Sequence, residues 1–236
     1  MSVPPDPEPG ATRRKVASPV LRLTGEADGG DLAAFLGRAL ALDPAAVVRL
    51  RTAGGLVTAW ARLPFGVLVS RTVGGDAKPT DVTVGGGELL GALESAASPA
   101  ELALPRRRDV EWRTALPPAA GWVRLDEVPG DVVRSLVRAG AEALRSVPAG
   151  VAASAGESLL DHESLTVSGP GGSVALPLRV LTALVRMGFL AVPRAAERSG
   201  SGDAVLVATG AGWVRLAAPY GSAYQHAAPS LGLALR

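Results

Sequence analysis

Apolar residues recur at helical spacing in the run DLAAFLGRALALD, where Leu32, Phe35, Leu36, Ala39 and Leu40 share one side. Asp31 is expected to cap this helix and Pro44 to end it. The pattern then shortens to the alternation of a strand. Val47 to Arg51, Leu56 to Leu63 and Val67 to Val73 are β-rich runs, separated by Gly54-Gly55 and by Pro64-Phe65-Gly66. Such runs predict an antiparallel meander, with Asp81 to Val84 as a fourth strand and a helix from Glu88 to about Ala97 closing the half.

The second half has the same style. Val132, Val133, Leu136, Val137, Ala141 and Leu144 line one side of a predicted helix over Asp131 to Val147. Ser164 to Ser168 and Ser173 to Leu176 flank a glycine-rich hairpin tip. Pro177 suits the first turn of a helix reaching Met187, with Gly188 at its C′ position and Phe189 folding back. Ala204 to Thr209 and Trp213 to Leu216 form a further predicted hairpin.

These elements predict an α+β protein of two antiparallel β-rich halves, each with short packing helices. Residues 1–23, rich in proline at Pro4, Pro5, Pro7 and Pro9, are expected to be a disordered tail. The first half then spans 24–104, a connector 105–130, and the second half 131–236. The pentapeptide GWVRL occurs at Gly121 to Leu125 and again at Gly212 to Leu216, but the flanks agree little and carry no claim of duplication.

Composition narrows the function classes. The chain of 236 residues has no cysteine, so a disulfide framework is excluded and the cytoplasm is the expected compartment. Although 47% of residues are hydrophobic, each apolar run is broken before the roughly 20 residues of a spanning helix, so no membrane role is expected. The net charge of +2 is nearly balanced, which argues weakly for a polyanionic partner. Isoleucine and asparagine are absent and lysine is confined to Lys15 and Lys78, a bias that suggests a GC-rich genome.

Candidate chemistry is sparse. The histidines are His162, within Asp161-His162-Glu163, and His226. Neighbouring side chains point apart, so His162 is not a preassembled dyad with its carboxylates. Tyr220, Ser222, Tyr224 and His226 form the densest polar and aromatic cluster and could line a small-molecule pocket, with His162 as a further candidate ligand-binding residue. No zinc-type spacing and no G-x-S-x-G elbow occur, so no metal, cofactor or catalytic residue is assigned. Gly85-Gly86-Gly87 reads as an ordinary strand-to-helix turn. Arg49, Arg51, Arg62 and Arg71 on a sheet face, with Arg106, Arg107 and Arg108, are the candidates for gripping a nucleic acid.

The motifs LLDHESLTV, LPLRVLTALVRMGFL and GWVRLAAPYGSAYQHA are similar to an uncharacterised actinobacterial protein family of unknown function. The likeness covers mainly Ser158 to Ala227 and more weakly Asp31 to Leu93, and it implies no activity. The expectation is therefore a non-catalytic cytoplasmic binding or regulatory protein with a protein partner. Two alternatives stand beside it: nucleic-acid binding through the arginine-bearing sheet face, and a small-substrate enzyme with its site near Tyr220 to His226.

Overall fold

The computed structural model describes residues 19–96, 101–148, 150, 152–191 and 203–227. In the first half, β1 (Val20–Leu23) leads into α1 (Glu26–Leu42), then β2 (Val47–Ala53), β3 (Leu56–Arg62), β4 (Leu68–Lys78), β5 (Asp81–Gly85), α2 (Gly86–Ser95) and β6 (Leu102–Ala103). The second half holds β7 (Val123–Pro129), α3 (Gly130–Arg145), α4 (Ala152–Asp161), β8 (Glu163–Gly169), β9 (Gly172–Pro177), α5 (Leu178–Arg186), β10 (Ala204–Gly210), β11 (Trp213–Ala218) and β12 (Gly221–His226).

The halves share one antiparallel sheet in the order β5-β2-β3-β4-β12-β11-β10-β7, with β1 and β6 attached through β4. Its seam is short: Leu68, Val69 and Ser70 of β4 face Tyr224, Ala223 and Ser222 of β12. Beyond this segment β4 turns to pair with β1 from Gly75 to Lys78. The two-half α+β reading of the sequence agrees with this architecture.

Strand alternation sends Val48, Leu50, Val57, Ala59, Ala61, Val69 and Val73 to one side, where all are buried in the main core. The helices cover that side. From α1 come Leu32, Phe35, Leu36 and Ala39, and from α5 come Val180, Leu181, Ala183 and Leu184. The helix α1 packs on α2, and α3 on α5. The two groups meet where the rings of Phe35 and Phe189 lie parallel, with centroids 6.4 Å apart. Gly221 runs so close beneath Phe189 that a side chain there would strike its ring. Arg179 adds a polar tie by donating from Nη1 to the Phe65 carbonyl at 2.6 Å.

The end of α5 follows its sequence signal. Gly188 has φ of +62°, its N–H donates to the Val185 carbonyl, and the Phe189 N–H reaches back to Leu184. That is a Schellman closure, and it delivers Phe189 into the core.

Both edges of the sheet are occupied. At β5, the Arg108 N–H donates to the Thr83 carbonyl, and the Thr83 N–H donates to Asp109 Oδ1 at 2.7 Å. At the opposite edge the β8–β9 hairpin leans on β7, where a side chain at Gly169 would overlap the Leu125 backbone.

Several local expectations need correction. The first helix starts at Glu26, not Asp31, with Glu26 and Asp28 in its first turn. There the acids complement the positive helix end without a side-chain cap. Of the expected tail, 1–18 lie outside the described residues, while Val20 to Leu23 form β1 along β4. The expected connector ends in a strand, because Val123 to Pro129 form β7 beside β10. Helix α4, whose AASAGESLLD sequence is rich in small residues, and β12 carry no clear periodic signal.

Candidate functional site

The sheet side opposite the helices carries a second apolar cluster. Leu68, Trp213 and Tyr224 are buried there, with Trp60, Trp112, Leu116 and Trp122 packed around them. All four tryptophans of the chain are thus gathered on one face. Cross-strand register explains the strand contributions. Arg62 faces Leu68, Leu68 faces Tyr224, and Tyr224 faces Arg215, so these four form one row across the seam.

The segment between β6 and β7 supplies the other members by crossing this face as a strap. Its Trp112 indole N–H donates to the Thr114 carbonyl at 2.6 Å, and that of Trp122 donates to the Pro118 carbonyl at 3.1 Å. Each indole therefore satisfies its donor locally and is free to lay its ring on the sheet. Trp122 stands 6.0 Å from Tyr224 between ring centroids, and Trp60 stands 5.1 Å from it. Above Arg215, the Trp122 ring lies 4.7 Å from the guanidinium carbon in a cation–π contact.

The strap leaves a cavity on each side. The larger, about 570 Å³, is walled by Thr58, Trp60, Ser70, Trp122, Arg215, Ser222 and Tyr224, and no carboxylate lines it. Ser70 Oγ and the Tyr224 hydroxyl are 3.3 Å apart in its floor. Two buried donors in this wall, Trp60 Nε1 and Arg215 Nε, have no acceptor among the described residues. Each such donor costs on the order of 1–3 kcal/mol. The smaller cavity, about 360 Å³, lies beyond the strap between Arg62, Arg113 and His226.

The cluster expected at Tyr220 to His226 is divided by the sheet. Tyr224 is buried in the outer-face cluster, and Ser222 lines the larger cavity. His226 lies against Trp213 with centroids 3.8 Å apart and rings tilted by 35°, and it lines the smaller cavity. Tyr220 is 48% exposed and belongs to the helix side, under Arg71 at 5.7 Å. His162 is exposed at the junction of α4 and β8, where its carbonyl accepts the Leu178 N–H. These residues form no single pocket. Among the described residues, no three His, Asp or Glu side chains group as a metal site would require.

The arginine face also changes. Arg49 and Arg51 lie on the outer side, but both turn to Asp81. Arg49 grips it with two bonds of 2.7 Å, and Arg51 approaches to 3.5 Å. Beside Arg49 the Asp81 carboxyl is held below its ordinary range, chiefly by the hydrogen bond. Arg71 faces Ala59 across the ladder, so it points to the helices, where it pairs with Asp31. Its place in the ladder sets it apart from Arg49, Arg51 and Arg62, although it reaches the lining of the larger cavity that Arg51 also lines. Arg107 pairs with Asp109, and Arg108 with Glu88 and Glu111. Arg62, Arg106, Arg113 and Arg215 have no ion pair among the described residues.

Sequence reasoning missed the outer cluster as a unit. Its available signal was the alternation Thr58, Trp60, Arg62 together with Trp112 and Trp122 in the connector.

The fold has known parallels. The β subunit of DNA polymerase III from Thermotoga maritima superposes with a TM-score of 0.51 at 10% identity, over 89% of this chain and 65% of that one. A sliding clamp from Caulobacter crescentus gives 0.51 at 10% identity, again over 89% and 65%. The clamp from Bartonella birtlesii, solved bound to griselimycin, gives 0.50 at 12% identity over 90% and 65%. The chain therefore has a sliding-clamp-like fold and spans about 65% of the length of these clamp subunits. No curated protein matches the sequence. Residues 16–114 match the model of one domain of unknown function (DUF8010) and residues 117–230 that of another (DUF8185), the two matches following one another along the chain.

Proposed function

We propose that this chain is a non-catalytic, cytoplasmic binding protein whose larger outer-face cavity holds an extended segment of a protein partner. The observation that carries the reading is the cavity itself. Both halves and the strap build it, it is walled by Trp60, Trp122 and Tyr224, and no carboxylate lines it. Of its three arginines, Arg51 and Arg71 are paired with Asp81 and Asp31 outside the lining, while Arg215 makes no ion pair among the described residues. Aromatic walls beside hydroxyl and guanidinium donors suit a peptide better than a reaction, because no carboxylate or histidine lines the cavity to act on its serines. The clamp-like fold fits a scaffold role.

The unpaired donors indicate what the segment offers. Trp60 Nε1 and Arg215 Nε are sealed within the wall. Such donors match the carbonyls or a carboxylate of a bound segment, and Arg215 lies directly against the Trp122 ring at the cavity wall. Nucleic acid is the weaker reading, since Arg49, Arg51, Arg71, Arg107 and Arg108 are already neutralised by the chain's own acids.

The test is a displayed peptide library selected on the full chain and counter-selected on a Trp60→Phe/Arg215→Met variant. The expected result is a family of extended peptides that bind the wild type and lose about tenfold or more in affinity on the variant. Peptides indifferent to the substitutions, or no enrichment at all, would overturn the reading. Tight duplex binding that collapses with added salt would favour nucleic acid instead.

A further inference from the structure

The smaller outer-face cavity is a different kind of site. Arg62 stands at the end of β3, Arg113 on the strap and His226 at the end of β12, and all three line this one cavity of about 360 Å³ with Thr114 beside them. No Asp or Glu contributes to its lining. Neither arginine makes an ion pair among the described residues, in contrast to Arg49, Arg51, Arg71, Arg107 and Arg108 on the same half and strap. Two acids stand in the adjoining depression, Asp43 and Glu111, where Arg62 and Arg113 form part of the wall. They form no ion pair with either arginine; Glu111 is instead within 3.6 Å of Arg108.

The floor is apolar. Leu68, Trp213 and Tyr224 are buried beneath the opening, and the His226 ring lies against Trp213 at 3.8 Å between centroids, tilted by 35°. Arg62 and Arg113 are both exposed at the one opening, and an anion between two such groups of like charge gains from both. Guanidinium groups also match the oxygens of phosphate and carboxylate through paired N–H donors.

We propose that this cavity binds an oxyanion, a phosphoryl or carboxylate group, between Arg62 and Arg113, with His226 and Thr114 as further hydrogen-bonding partners. The site is independent of the peptide reading. It lies across the strap from the larger cavity, and it needs neither Trp60 nor Arg215. Its phosphoryl and carboxylate forms share the same recognition chemistry, and separate probes distinguish them.

Tryptophan fluorescence reads the site directly, because Trp213 lies in its floor. The full chain is titrated with inorganic phosphate and, separately, with acetate, at ionic strength held constant with sodium chloride. Saturable quenching is expected with at least one probe. Stronger binding of phosphate would assign a phosphoryl ligand, and equal or stronger binding of acetate a carboxylate. Arg62→Gln and Arg113→Gln should each weaken the response about tenfold or more, while Arg106→Gln, outside the cavity, should leave it unchanged. A linear response to both anions, or saturable binding unaltered in both cavity variants, would overturn the proposal. Circular dichroism of each variant, matching that of the wild type, separates loss of the site from loss of the fold.

Discussion

Replacing Phe189 with alanine tests whether the two halves form one cooperative body. The ring is only 2% exposed and lies 6.4 Å from the parallel ring of Phe35. It also fills the space over Gly221, at the start of the seam strand β12. Burial and cavity terms together put a Phe→Ala change in such a position at about 3–5 kcal/mol. For a chain of this size each kcal/mol moves the melting temperature by about 2–4 °C, so a fall of roughly 6–20 °C is expected. Phe189→Leu keeps most of the volume and should cost under about 1.5 kcal/mol. A double-mutant cycle with Phe35→Ala should return about 0.5–1.5 kcal/mol of coupling for the ring pair. Urea unfolding followed by tryptophan fluorescence reports the outer face, and far-ultraviolet circular dichroism reports the whole. In the wild type the two curves should coincide, whereas in Phe189→Ala they should separate as the seam loosens first. A loss below about 1 kcal/mol, with the curves still coincident, would refute the view that this ring joins the halves.

Two further outcomes follow from the edges and the charges. Asp81 is held below its ordinary pKa by Arg49, so its contribution is complete above the unfolded carboxylate value and fades as pH falls through the folded one. With Asp81 39% exposed, screening limits the loss to less than about 1 kcal/mol, and Asp81→Asn should remove this part of the acid sensitivity in urea titrations at pH 7 and pH 3. Asp109→Ala frees the Thr83 N–H at the edge of β5; sedimentation velocity should show self-association rising in the variant relative to the wild type.

How much of this was legible in the sequence depended on whether a feature was local. Gly188 and Phe189 announced the end of α5 because a C-cap is written in adjacent residues. The meander from Val47 to Val73 was readable because one side of each strand meets a continuous aliphatic core. Strand β12 was not, since both sides of GSAYQH are covered, Ala223 by helices and Tyr224 by tryptophans, and the alternation lost its contrast. Arg71 failed for a related reason. Alternation assigns faces within a strand, but the parity between β3 and β4 depends on Leu68 lying opposite Arg62, a register that spacing alone does not reveal. The two outer cavities were legible only in part. Ser222, Tyr224 and His226 stood out as candidates and line them, but the other walls were hidden, because Trp60 and Trp122 meet Tyr224 only after the short β4–β12 seam closes.

The strap has one more consequence. Residues that link two domains usually drift freely in length, since a looser tether changes little. Here the only covalent passage from one half to the other also lays Trp112, Leu116 and Trp122 on the sheet. A residue added or removed between Trp112 and Trp122 would slip these side chains out of step with Trp60, Trp213 and Tyr224. Both outer cavities would change shape together, with every strand still in place. The spacing of that stretch is thus under the kind of constraint normally found in a core, and the two halves could not be exchanged between related chains without carrying it along.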